Sequence, residues 1–269
     1  ITQEEIDKMV LNVKSEFSKS GNLISLERLE KVLIDGYAME DPLGLAGKEI
    51  TVGISGVTSK SDVVKEFSGL ASFLKLEFKG VFPIDFSVVE AKKHFSDLKD
   101  ALFINIFENS ASLFLLRSGF IDAIENADAG YGDFGRRLSE NFSVGLEEAK
   151  NIKNKFISGD LDVNILDKAR SLAFESAKVA LGKIKPAISL LGRMDLLPKE
   201  IFISFFGDVP VQFSQAFKKS NNWFSDLPFS RDVEIAFLNA SDFDNLLKDE
   251  KKLFTACEYA IIYHINKLK

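Results

Sequence analysis

Three stretches of this sequence carry residues of the types, and near the spacings, that could grip a phosphate or another anion. Gly53-Ile54-Ser55-Gly56-Val57-Thr58-Ser59-Lys60 has the glycines and the lysine of a phosphate loop. It lacks the contiguous Gly-Lys-Ser/Thr that brings backbone N–H groups and a lysine onto one phosphate, and it reads as a strand end with a polar turn. Gly130-Tyr131-Gly132-Asp133-Phe134-Gly135 precedes a predicted helix, with Arg136 and Arg137 just beyond. A glycine-rich turn at a helix N-terminus can hold an anion; the alternative is a flexible entry to the helix. Lys150 and Lys153 share a helix with Glu147 and Glu148, at spacings that suit ion pairs on a solvated face. Phe205-Phe206 ends an apolar run and reads first as core.

Other catalytic chemistry is thinly supplied. The two histidines, His94 and His264, lie far apart, and Cys257 is the single cysteine. That excludes an internal disulfide framework and a cysteine zinc cluster, and it argues against a Ser-His-Asp triad. The thiol usage fits a reducing cytoplasm. With 34 basic and 40 acidic residues the net charge is −6, which argues against broad nucleic-acid binding. No apolar run reaches the roughly 18 residues of a membrane span, and no signal peptide is present. The chain opens on Ile1 rather than Met, which leaves room for sequence upstream.

The elements that must position these residues follow from periodicity and punctuation. A 46% hydrophobic chain of 269 residues is globular, large enough for two domains or one sizeable core. Its 25 Phe against 4 Tyr and 1 Trp read as core filling, because Phe needs no hydrogen-bond partner. Residues 2–18 form an amphipathic helix with Ile6, Met9, Val10, Val13 and Phe17 on one face, and Thr2-Gln3-Glu4-Glu5 has capping-box spacing. A strand over 29–35 enters the turn Asp35-Gly36-Tyr37, and Asp41-Pro42-Leu43-Gly44 turns again. A strand follows over 48–55, then a helix capped by Ser61 and carrying Val64, Phe67, Leu70 and Leu74, then a strand over 76–82.

Beyond Pro83, Asp85 caps a helix reaching about Phe95. Apolar strands over 102–107, 111–117 and 120–125, joined by tight turns, make an antiparallel meander. Helices over 131–141 and 144–156 come next. A long helical region over 162–191 is expected to break near Gly182 and Pro186. A strand over 200–205 leads to a helix opening on Val209-Pro210. A strand over 233–238 and a helix over 251–266, with Phe254, Cys257, Ile261, Ile262 and Ile265 inward, close the chain.

The order of these elements, with three phrases, resembles a known family. The phrases are LIDGYAMEDPLGLAGKEITVGISG (Leu33–Gly56), ALFINIFENSASLFLLRSGFIDAIENADAGYGDFGRRLSENFSVGLEEAKNIKNKF (Ala101–Phe156) and EIFISFFGDVPVQFSQAF (Glu200–Phe217). They resemble FtsA, the bacterial cell-division actin homologue, and its relative PilM of the type IV pilus machinery, both of the actin/Hsp70/sugar-kinase superfamily. The likeness is of pattern and order, over about residues 29–265. It implies an α+β or α/β fold: an actin-like, ribonuclease-H-like lobe plus a small α+β insert of SHS2 type. Residues 1–82 would be the insert and 83–100 the returning helix of the first lobe. Residues 101–269 would be the second lobe, with a reduced helical insertion over about 157–197.

The same resemblance implies a nucleotide site, and this chain departs from it. The family's Asp-x-Gly-Gly phosphate hairpin falls on Asn105, Ile106, Phe107 and Glu108: an amide for the acid, a ring for one glycine, an acid for the other. Its adenosine loop of glycines falls on Phe205, Phe206 and Gly207, followed by Asp208. On the adenosine-contacting helix Lys150 replaces Glu while Lys153 is kept, and Gly130, Gly132 and Asp133 preserve part of a third loop. The expectation is a scaffold without catalytic residues, without a metal site and without ordinary ATP and Mg²⁺ binding. It would work through protein contacts: an FtsZ-like tail, later division proteins or a second copy. It would be cytoplasmic and peripheral at the inner face of the cell membrane, reaching the membrane only indirectly. One alternative is a PilM-like component bound to a pilus inner-membrane protein. Another is a divergent actin-like ATPase using Glu108 or Asp133 as its metal-positioning acid.

Overall fold

A computed structural model describes residues 1–19, 22–78, 80–193, 195–219, 224–230 and 232–238. Two compact units meet in sequence after His94, and each is described by itself. The expected helix over 251–266, Cys257 and His264 lie outside the described residues.

The first unit opens with α1, Gln3–Lys19. Its start is a reciprocal capping box. The Glu5 N–H donates to Thr2 Oγ1 (3.3 Å), and the Thr2 N–H donates to Glu5 Oε2 (2.8 Å). The backbone hydrogen bond from Thr2, helped by its hydroxyl, holds the Glu5 carboxyl below the usual carboxylate range. Ile6 on the expected apolar face is buried.

Strands β1 (Asn22–Ile34), β2 (Tyr37–Met39) and β3 (Ile50–Lys60) form an antiparallel sheet in the order β2-β1-β3. β1 and β2 are joined by a two-residue turn, with Asp35 at φ 49° and Gly36 at φ 86°. Positive φ at both central residues gives the turn the twist of its strands. Asp35 Oδ1 then accepts from the N–H groups of Lys48 and Glu49, each at 2.9 Å, and so fixes the entry to β3.

Four expectations are corrected here. β1 starts at Asn22 rather than near Leu29, because it pairs along the whole of β3 with register breaks at Ile24/Leu26 and Leu29/Lys31. Each break interrupts the two-residue alternation that marks a strand. The helix α2, Ser61–Phe73, is preceded by Lys60 at the cap position, without a side-chain cap, so Ser61 lies inside it. No described residue between 76 and 82 is in a strand. The α2 C-terminus instead turns back through Lys75 at φ 56°, and the Leu76 N–H donates to the Ala71 carbonyl (2.8 Å). α3, Ile84–Ser96, follows, with Asp85 within its first turn rather than before it.

The second unit is built on β4 (Ala101–Ile106), β5 (Ala111–Arg117) and β6 (Phe120–Ala127), the expected meander. α4 (Asp133–Phe142), α5 (Leu146–Ser158) and α6 (Val163–Leu191) lead to β7 (Glu200–Phe205), α7 (Val211–Lys219) and β8 (Glu234–Phe237). The sheet order is β6-β5-β4-β7-β8, with β4, β7 and β8 parallel. Every residue of β4 is buried, which is why it reads as a continuous apolar run. Leu102, Ile104, Ile106, Leu113, Leu115, Ile201 and Ile203 share one core with α4, α5, α6 and α7.

α6 is continuous through Gly182 and Pro186, against expectation. An internal proline costs a helix about 3 kcal/mol. Ile184, Ile188 and Leu191 flank it and are buried, at about 1.5–3 kcal/mol each, so packing decides. Among the described residues no helix is long and apolar enough to cross a membrane.

Candidate functional site

Three turns meet at one end of the second unit's sheet. The first joins β4 to β5 and is closed by the Phe107 N–H donating to the Ser110 carbonyl (2.8 Å). The second runs from β6 into α4 through Gly130-Tyr131-Gly132. The third follows β7 at Phe206-Gly207-Asp208.

The first two turns bond to each other through their backbones. The Tyr131 N–H donates to the Phe107 carbonyl (3.2 Å), and the Gly132 N–H donates to the Glu108 carbonyl (2.7 Å). A Cβ on Gly130 would stand 2.1 Å from the Glu108 carbonyl oxygen, and one on Gly132 2.8 Å from it. Both glycines therefore serve a close backbone approach. Two of the N–H groups that an anion would need are spent on carbonyls of the neighbouring turn.

The third turn is tied to both. The Phe206 N–H donates to the Ile106 carbonyl (2.9 Å), continuing the β4–β7 ladder. The Phe107 and Phe206 rings stack, with centroids 4.4 Å apart and planes at 17°. Tyr131 is buried, and its hydroxyl donates to the Phe206 carbonyl (2.5 Å). Gly207, at φ 138°, lies under that hydroxyl, so that a Cβ there would be 2.2 Å from the phenol oxygen. The Lys153 ammonium sits 5.0 Å from the Tyr131 ring centre, within cation–π range.

One register step back, the strands carry polar side chains. Asn105 lies opposite Ser112 on β5 and Ser204 on β7. It is wholly buried, and its Oδ1 accepts from the Ser204 hydroxyl (2.5 Å). The buried Ser112 hydroxyl has no hydrogen-bond partner among the described residues.

Asp133, at the start of α4, is held by Arg136 and by Arg137 Nε (2.5 Å). Partial burial opposes its ionisation. The hydrogen bonds from Arg137 and Arg136 outweigh that and keep the carboxyl below the usual range. Arg137 reaches on to Glu175 of α6 (3.4 Å). Beside these groups is a cleft of about 260 Å³, lined by Glu108, Asn109, Asp128, Asp133, Arg136 and Lys183.

Of the positions singled out in the sequence, the structure gathers Phe107, Glu108, Gly130, Gly132, Lys153, Phe206 and Gly207 in one place, with Asn105 beneath and Asp133 alongside. Phe205 goes elsewhere, into the core, with its ring centre 6.0 Å from that of Phe217 and 6.2 Å from that of Phe237. Lys150 and Asp208 are exposed. Tyr131 was missed. Its signal was a lone tyrosine between two glycines in a Phe-rich chain, since a buried tyrosine needs a partner for its hydroxyl. The glycine-rich stretch over 53–60 lies wholly within β3, which continues to Lys60 where the sequence reading places a strand end and a polar turn.

No family model matches this chain, and no curated protein matches it by sequence. Solved structures do. The chain is similar to a structure of the PilM–PilN type IV pilus biogenesis complex, at 14% identity and TM-score 0.58, over 100% of this chain and 75% of that one. It also matches ethanolamine utilization protein EutJ from Carboxydothermus hydrogenoformans at 17% identity and TM-score 0.40, over 62% of this chain. A third match is component A of the (R)-2-hydroxyglutaryl-CoA dehydratase of Acidaminococcus fermentans, at 11% identity and TM-score 0.40, over 92% of this chain and 98% of that one. The chain spans 54% of the length of EutJ. At these identities the likeness is one of fold: mixed α/β and actin-like, carried by the whole-chain match to PilM.

Proposed function

We propose that this chain is a scaffold of actin-like fold that acts through protein contacts, with its nucleotide position plugged by its own side chains. The observation that carries this reading is the Phe107–Phe206 stack, anchored by the Tyr131 hydroxyl on the Phe206 carbonyl. Mg²⁺-ATP is what an actin-like fold implies at these turns, and the residues do not fit it. The N–H groups of Tyr131 and Gly132 are taken by carbonyls, the space above Gly207 is filled by a phenol, and Glu108 would face a phosphate with like charge.

Of the two machineries that the family resemblance names, the pilus platform is the better supported. The similar structure of that kind is of PilM in complex with PilN, and the likeness runs the length of this chain. We therefore favour a PilM-like role, with a short peptide of a membrane-anchored partner as ligand. The FtsA-like role in cell division is the competing arm of the test.

A thermal-shift titration of the chain with Mg²⁺-ATP, Mg²⁺-ADP and Mg²⁺ alone comes first. A nucleotide at 100 times its dissociation constant adds about 2.7 kcal/mol, a shift of several degrees at this size. The reading expects no shift at millimolar nucleotide, and a nucleotide-specific shift would overturn the plugged site. Immobilised peptides then separate the partners. Retention on a pilus-protein N-terminal peptide supports the PilM-like role, and retention on an FtsZ C-terminal peptide alone replaces it with the division role.

A further inference from the structure

The charges that line the cleft of the second unit do not cancel. The cleft holds about 260 Å³ between the β4–β5 turn, the end of β6, the start of α4 and the middle of α6. Asp133 and Arg136 pair with each other, and Arg137 and Glu140 complete their partners. Glu108, Asp128 and Lys183 remain, all exposed. Among the described residues none of the three side chains makes an ion pair or a hydrogen bond. Two carboxylates therefore stand against one ammonium. Glu108 and Asn109 lie along Gly132: a Cβ there would be 2.9 Å from Asn109 Oδ1 and 2.9 Å from Glu108 Cγ. Val179 and Ala180 of α6 add an apolar wall.

We propose that this cleft receives one basic side chain, an arginine or a lysine, from a partner protein. An anion would meet two unpaired acids for one unpaired base. A metal ion would need more donors: among the described residues no group of three His, Cys, Asp or Glu side chains is placed to hold one. Lys183 would also repel it. Pockets for drug-sized molecules run to about 300–1,000 Å³, so this smaller cleft suits a single side chain. The methylene stem of an arginine or lysine buries along apolar surface while its head stays polar. Val179 and Ala180 offer the stem its wall, and Glu108, Asp128 and the Asn109 carbonyl offer the head its acceptors. The inference rests on the protein-contact reading and names one chemical feature of the partner.

Amide NMR of the 269-residue chain tests it, with N-acetyl-arginine amide and N-acetyl-lysine amide as probes at constant ionic strength. The titration runs to about 100 mM, because a lone exposed ion pair is weak. The amide signals of Asn109, Gly130, Gly132 and Lys183 shift with either probe and stay in place with neutral N-acetyl-norleucine amide. The double variant Glu108→Gln, Asp128→Asn loses the response. Lys183→Met removes a like charge and tightens binding about two- to fivefold. The three side chains are exposed, and an unchanged melting curve checks that each variant is folded. A capped residue stands in for the partner, so failure here leaves the plugged nucleotide position and the peptide comparison to their own tests. Absence of shifts at these amides overturns the proposal, as does an equal response to the neutral analogue. Weaker binding in Lys183→Met, with shifts on N-acetyl-glutamate amide instead, would make the cleft an anion site. Tighter binding of putrescine than of either capped residue would assign it to a free amine and overturn the partner.

Discussion

The rings of Phe107 and Phe206 lie stacked at 4.4 Å, each one residue beyond the last register pair of two parallel neighbouring strands, Ile106 and Phe205. Neither ring is fully buried, so the pair lends stability through mutual contact as well as burial. Phe107→Ala and Phe206→Ala should each cost about 1–3 kcal/mol, below the 3–5 kcal/mol of a fully buried Phe. A double-mutant cycle by urea unfolding should return a coupling of about 0.5–1.5 kcal/mol, the range of an aromatic pair. Strict additivity would mean that the stack is an incidental contact.

Glycines on the two sides of this cluster should respond in opposite directions to alanine. A methyl on Gly130 meets the Glu108 backbone carbonyl at 2.1 Å, and backbone cannot swing aside. Gly130→Ala should lose more than about 2 kcal/mol, as strain at a tight site does. Gly135 lies in α4 with nothing within 4 Å of its Cβ position. Gly135→Ala should gain about 0.5–1 kcal/mol from helix propensity. Melting temperatures of the two variants, measured side by side, check the contrast. Equal shifts of one sign would show that the two backbones do not approach as closely as described.

The meander was legible in the sequence because β4 and β5 are buried on both faces and joined by short turns, so each reads as an uninterrupted apolar run. Local signals held as well: the Thr2–Glu5 capping box and the Asp35-Gly36 hairpin are decided within a few residues. The first half of β1 was hidden by its two register breaks, and the supposed strand after Leu74 had the right composition but pairs with no strand among the described residues. At the site, each substituted position could be named from the sequence. That Phe107 and Phe206 stack, and that Tyr131 locks them, depends on β7 joining β4 in parallel, a pairing between residues distant in the chain.

Asp133 makes a pH-dependent contribution of definite sign. Its folded pKa is depressed by Arg137 and Arg136 against the opposing effect of burial. Its contribution is therefore present above the unfolded carboxyl value, about 3.9, and is lost as pH falls through the folded one. Asp133→Asn should lower stability near pH 7 by about 1 kcal/mol or less, because the site is partly solvent-screened. Below the folded value the variant and the parent should converge. Urea midpoints measured from pH 2 to 7 decide it. A gap that persists at low pH would assign the loss to packing rather than to the carboxylate charge.

Gly182 and Pro186 are two helix breakers four residues apart in α6, and that spacing explains why the helix survives them. The hydrogen bond that Pro186 cannot make is the one its N–H would give to the carbonyl of Gly182. Both breakers therefore fall on a single rung. The proline ring crowds the carbonyl four residues back, and at that position glycine has the freedom to shift. Both residues are exposed, so replacing them disturbs no core contact. Pro186→Ala restores the rung and should stabilise the protein by about 1–3 kcal/mol, and a glycine replaced by alanine in an unperturbed helix interior gains up to about 1 kcal/mol. Gly182→Ala with Pro186 retained should fall short of that gain, because the ring then meets a stiffer backbone. Adding Gly182→Ala to Pro186→Ala should recover the gain in full. Thermal unfolding of the two single variants and the double variant measures this non-additivity. Simple additivity would show that the two positions act independently and that the packing of Ile184 and Ile188 alone keeps the helix continuous.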